Sequence, residues 1–152
     1  MRAGKWIVWI VYLFLLTQFI LLKHIPPLHW SELIDGNEIV LRWQTANTAP
    51  FHTIGLFLFP SNLSLSIRIQ NLVGNVLLFV PFGFLLPVSS GRCRRFFLTA
   101  GAAAGLSFLY EVIQLVFGFG SFDVDDLLLN TAGGLIGYGL FIAFRKRKRR
   151  IL

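Results

Sequence analysis

The sequence predicts an all-α membrane protein, a bundle of four transmembrane helices with both termini on the cytoplasmic side. Three observations carry this reading. Of the 152 residues, 55% are hydrophobic and 14% charged, a composition typical of multi-pass membrane proteins. The apolar residues gather into four runs of a length that can cross a bilayer. Eleven of the fourteen Lys and Arg fall at Arg2 and Lys5, at Arg92, Arg94 and Arg95, and in the run Arg145 to Arg150. Four crossings place all of these on one side, which the positive-inside rule makes the cytoplasm.

The first span covers residues 6–22, where Tyr12, Thr17 and Gln18 are the polar interruptions. No small-residue cleavage site follows in Lys23-His24-Ile25-Pro26-Pro27, so the run reads as an uncleaved span and not as a signal peptide. Residues 23–70 form a mixed extracytoplasmic loop containing Glu32, Asp35 and Glu38, with Trp30 and Trp43 as interface anchors. Within it the apolar stretch 54–59 is too short to cross, and is expected to lie at the interface or dip into it. The second span, 71–87, contains Pro81, which predicts a kink. The third, 96–117, is about 33 Å long, enough for a hydrocarbon core of about 30 Å. The fourth, 127–144, leads into a basic cytoplasmic tail, 145–152, and the whole chain forms one domain.

Composition also excludes. The net charge of +7 sits beside apolar runs, so its partner is the anionic face of membrane lipids and not nucleic acid. One cysteine, Cys93, rules out an internal disulfide, and His24, His29 and His52 match no zinc spacing. No metal or cofactor is expected.

Polar residues inside apolar spans mark functional candidates, because they are costly unless they face protein or water. Glu111 lies roughly 22 Å from the cytoplasmic start of the third span, Asn130 roughly 5 Å inside the fourth and Asn75 roughly 6 Å inside the second. This topology therefore sets all three at one depth in the outer half of the membrane. Helical spacing adds Asn71 beside Asn75, Gln114 beside Glu111, and Asp126 beside Asn130. Asp123 and Asp125 complete the candidate cleft, and capping of the fourth helix is an equal reading for both. For each asparagine and for Gln114, interhelical hydrogen bonding is the first reading, ahead of ligand contact. Glu111 must be protonated or paired, with Lys23, Arg42 and Arg68 the basic residues on that side. The G-x-x-x-G spacings Gly101/Gly105 and Gly133/Gly137 predict a tight hairpin of the third and fourth helices with the cleft at its outer mouth.

Three blocks in this order resemble the VanZ-like membrane protein family: Asn71 to Pro87; Glu111-Val-Ile-Gln114; and Phe122 to Tyr138, with its Asp123, Asp125, Asp126, Asn130, Gly133, Gly134 and Gly137. Asn47-Thr-Ala-Pro50-Phe51 resembles a shorter block that precedes them, so the likeness runs from about residue 45 to 140. Many members carry a basic residue just before the aspartates, where this chain has Gly118-Phe119-Gly120-Ser121. The resemblance implies a bacterial inner-membrane protein of the cell envelope, in a family whose namesake is associated with low-level resistance to the glycopeptide teicoplanin. The preferred expectation is a non-enzymatic, outer-facing polar cleft that binds or shields an amphiphile, such as a lipid-linked cell-wall precursor or a lipoglycopeptide. An intramembrane enzyme with Glu111 as general acid or base is the rival, and a proton-coupled transporter is disfavoured by so few spans.

Overall fold

The computed structural model describes residues 2–21, 36–59 and 64–151; Lys23, His24, His29, Trp30, Glu32 and Asp35 lie outside them. The described residues form six α-helices, α1 (Arg2–Leu21), α2 (Gly36–Gln44), α3 (His52–Leu58), α4 (Leu65–Ser89), α5 (Phe96–Phe117) and α6 (Val124–Ile151), with a 3-10 turn at Arg92–Arg94. Four of these, α1, α4, α5 and α6, are long and apolar enough to cross a membrane. There is no strand among the described residues, only one isolated bridge between Asn47 and Asp123.

Two helices run further than the apolar runs alone suggest. α4 begins at Leu65, ahead of Asn71, because Ser64 caps it, its Oγ accepting from Ile67 N–H at 3.4 Å. It also passes through Pro81 without breaking. Pro81 gives no N–H to the carbonyl of Leu77, and at the next carbonyl Leu78 O accepts from the Tyr12 hydroxyl of α1 at 2.8 Å. α6 likewise continues through the basic run to Ile151. Lys and Arg are good helix formers, and cations in the last turns complement the negative end of the helix dipole.

The predicted α5–α6 glycine seam is corrected. Gly101 and Gly105 face outward, and a Cβ added at either would meet nothing within 4 Å. The close approach is between α4 and α6. A Cβ on Gly133 would stand 2.1 Å from Val76 O, and one on Gly137 would stand 2.0 Å from Val80 O. The main chains of the two helices therefore touch, which only residues without side chains permit. α5 lies against α6 through Ala103, which faces Gly134. α1 is the outlying helix, and most of its side chains, including Trp6, Ile7, Ile10 and Phe14, are exposed on its outer face.

Polar contacts along its length tie α1 to the rest. Trp9 Nε1 donates to Ser89 Oγ at 2.7 Å, and Thr17 Oγ1 and Tyr110 Oη are 2.8 Å apart. Gln114 Nε2 donates to Ile20 O at 3.2 Å. The apolar core beneath them joins Leu16 and Leu21 of α1 to Phe79 and Phe82 of α4 and to Ala103 and Tyr110 of α5.

The two glycine pairs make opposite predictions. Gly133→Ala or Gly137→Ala forces two backbones apart and should destabilise the protein by about 1–3 kcal/mol or more. Gly101→Ala and Gly105→Ala should be neutral, or stabilising by up to about 1 kcal/mol through helix propensity. Thermal unfolding in detergent separates these outcomes, and equal losses at both pairs would contradict the α4–α6 seam.

Candidate functional site

The site is assembled where the loop before α6 meets the segment around α3. Asn47 pairs with this loop through the backbone, its N–H donating to Phe122 O at 2.8 Å and its carbonyl accepting from Val124 N–H at 3.0 Å. Asp123 then gathers side chains. Its Oδ1 accepts from Asn47 Nδ2 at 2.9 Å, and its Oδ2 from Thr53 Oγ1 at 2.6 Å. Oδ1 also accepts from Asp125 N–H at 2.8 Å, which caps the first turn of α6.

Asp125 turns the other way and holds α3. Its carboxylate, fully buried, accepts from Phe51 N–H at 2.5 Å and from Ile54 N–H at 3.0 Å. Phe51 has φ 67°, the one left-handed non-glycine among the described residues. A strained conformation of this kind costs on the order of 1–3 kcal/mol and persists only where surrounding contacts over-determine it. Here the carboxylate of Asp125 grips the backbone at Phe51 and again three residues later. The two aspartates thus dock the 47–58 segment onto α6.

This docking also fixes Glu111. The Asp123 N–H donates to Glu111 Oε2 at 2.8 Å, so a main-chain donor serves this carboxyl where a cation was sought. The two described arginines on this side bond carbonyls. Arg42 Nη1 donates to Val116 O at 2.8 Å at the C-terminus of α5, where cations and donors are favoured. Arg68 Nε donates to Phe57 O at 2.6 Å. Arg42 also lies over Gly118, whose φ of 70° ends α5. A cation therefore does reach the stretch Gly118 to Ser121, delivered by α2 instead of by the stretch itself.

A cavity of about 1020 Å³ opens beside Glu111. Of the eight candidate cleft residues, seven line it: Asn71, Asn75, Glu111, Gln114, Asp123, Asp126 and Asn130. Asp125 does not, being committed to α3. Asn75 Nδ2 bonds Asp126 Oδ1 across the α4–α6 contact, and Asn130 Nδ2 donates to Ser107 Oγ of α5 at 2.9 Å. Asn71 Nδ2 donates to Ile67 O of its own helix at 2.9 Å. One atom is left over. Asn130 Oδ1 is buried without a hydrogen-bond partner among the described residues, an arrangement that costs about 1–3 kcal/mol.

The opposite wall is apolar and was not foreseen. Leu15, Leu16 and Phe19 of α1 face Leu77, Leu78 and Pro81 of α4, with Phe57 of α3 near the mouth. The polar interruptions Tyr12, Thr17 and Gln18 were the available signal that α1 faces protein on one side. Tyr12 and Gln18 line the cavity, and Thr17 anchors Tyr110.

A family model described as VanZ/LLP1 matches residues 9–145. The chain belongs to the VanZ/LLP1 family. It is 28% identical over 127 residues to Protein VanZ of Enterococcus faecium, across 84% of this chain and 74% of that protein. No solved structure matches the chain. The matched region contains the whole cavity lining and both aspartates of the clamp, so the VanZ/LLP1 match and the site coincide.

The clamp has a direct test. Asp125→Ala removes the acceptor of two main-chain N–H groups, those of Phe51 and Ile54, and should cost about 1–3 kcal/mol for each donor left unpaired. Limited proteolysis should then cut between Thr45 and Phe59 much faster than in the parent. Unchanged cleavage would show that α3 is held by other contacts.

Proposed function

We propose that the chain is an inner-membrane protein of the bacterial envelope whose cavity opens toward the outer leaflet and binds or shields an amphiphile without reacting with it. The observation that carries this reading is the two-sided lining of a long cavity. Gln70, Asn71, Gln18 and Ile20 lie at one end, and Tyr12, Leu78 and Pro81 at the other. From Gln70 to Pro81 the lined part of α4 rises about 16 Å. Glu111, Asn75, Asp126 and Asn130 form the polar side, and leucines and Phe19 form the apolar one. A volume at the upper end of the ordinary range for ligand pockets, roughly 300–1,000 Å³, suits a molecule with a polar head and an alkyl tail. A lipid-linked wall precursor or a lipoglycopeptide of the teicoplanin type has that form. The positive-inside count supports an outward-facing end at Gln70 and Asn71, which is where such molecules meet the cell.

Gly74 provides the experiment. It lines the cavity, and a Cβ there would meet nothing within 4 Å, so Gly74→Leu should insert a side chain into the space without disturbing helix contacts. The variant should be as stable as the parent, or more so by up to about 1 kcal/mol, yet lose the protection that the parent gives a sensitive host against teicoplanin. Glu111→Gln, which keeps an acceptor for Asp123 N–H but cannot titrate, should keep that protection. Loss of function in Glu111→Gln with Gly74→Leu still active would reverse the account, in favour of acid-base chemistry at Glu111.

A further inference from the structure

The two ends of α1 are tied to different helices. At its inner end α1 is bound to α4: Trp9 Nε1 donates to Ser89 Oγ, the Trp9 ring packs edge-on against Phe82 with centroids 5.6 Å apart, and Tyr12 Oη donates to Leu78 O. At its outer end α1 is bound to α5, through Thr17 with Tyr110 and through Ile20 O, which accepts from Gln114. Beyond Tyr12 no hydrogen bond joins α1 to α4 among the described residues. Between these two helices, above the Tyr12 contact, lies the apolar side of the cavity.

That side opens onto the surface of the protein. Gln70, Gly74, Leu77 and Pro81 line the cavity and, spaced by four, three and four, form one face of α4. Leu77 is 60% exposed, and Leu15 and Phe19 of α1, which line the same space, are 48% and 62% exposed. Residues that line a cavity and are also exposed on two helices able to cross a membrane mark a slot, and the medium outside it is alkyl chain, not water. At its inner end a single tyrosine side chain reaches from one helix to the other, so the gap there is narrower than the roughly 10 Å that a further helix needs. An alkyl chain fits where a helix does not. We infer that the ligand enters sideways from the membrane through this α1–α4 slot, head first toward Asn75 and Glu111, and keeps its tail in the slot with any surplus length in the bilayer. The site then takes membrane-dissolved amphiphiles whose tails exceed the cavity, and not only tails cut to its depth. This deepens the amphiphile-binding reading and rests on it.

Three tails separate a slot from a closed pocket: dodecyl, octadecyl, and dodecyl with pyrene at the chain end. Each is presented both as the amine and as the maltoside, so that the head is held constant within a series. Binding is measured on the full chain in phosphatidylcholine nanodiscs at equal mole fraction of probe in the bilayer, and the signal of Gly74→Leu is subtracted as partitioning. Within a series that binds, the three tails should agree to within about threefold, whereas a closed pocket about 16 Å deep would weaken the octadecyl and pyrene probes by about tenfold or more. Leu15→Trp with Leu77→Trp sets large rings on both exposed rims and should weaken every tail by about tenfold while leaving thermal unfolding unchanged. If only the dodecyl probes bind, or the paired tryptophans leave binding as it was, the lateral route is wrong while the amphiphile cavity stands. If the paired tryptophans turn an oligomer of the parent into a monomer in detergent, the slot is an interface between copies and the lateral route is again wrong. If neither series shows binding that depends on Gly74, both readings fail.

Discussion

A fully buried carboxylate must be given donors, and in this protein the donors given to Asp125 are main-chain N–H groups of another segment. That requirement ties Phe51 and Ile54 to the start of α6 and holds Phe51 in its left-handed conformation. Once the segment is in place, Asn47 and Thr53 complete Asp123, and the peptide of Asp123 presents its N–H to Glu111. Three of the four acids around the cavity mouth are thereby organised by one docking event. Asp123 and Asp125 act as structural clamps, and Glu111 is left beside open space as the site's remaining carboxyl together with Asp126.

The open space itself follows from unequal helix packing. Gly133 and Gly137 bring α6 into backbone contact with α4, and α5 follows through Ala103. Among the described residues nothing comparable draws in α1. It is attached by side chains at Trp9, Tyr12 and Thr17 and by its carbonyl at Ile20, contacts that hold it at a side chain's length. Between an apolar helix held at a distance and a tightly packed pair carrying Asn75, Asp126 and Asn130, a space with two characters is unavoidable. The same polar contacts that fasten α1 also set the width of the groove.

Much of the fold was legible because the length of an apolar run directly reports a helix that can cross a membrane. Most of the candidate cleft was legible because a polar residue in such a run needs a reason, and Asn75, Glu111, Asp126 and Asn130 do meet. Helix pairing was not legible. Gly101/Gly105 and Gly133/Gly137 have the same spacing, and only the placement of α4 decides which pair is in contact. The destination of Asp125 was equally hidden, since its partners are main-chain N–H groups that leave no mark in composition. Arg42 was noticed as a cation but sought beside a carboxylate; helix C-terminal carbonyls are an alternative acceptor, and Gly118 just after the apolar run of α5 marked where they lie.

The central claim is that an alkyl tail lies between α1 and α4 with its head toward Glu111. Photolabelling tests it most directly, using a dodecylamine that carries a diazirine at the chain end, with mapping of the modified residues by mass spectrometry. The account predicts labels at Tyr12, Leu78 and Pro81 that an excess of unlabelled dodecylamine removes, while labels on the outward residues Phe108, Leu109 and Leu140 resist competition. Labelling confined to those outward residues, or competed equally everywhere, would contradict it.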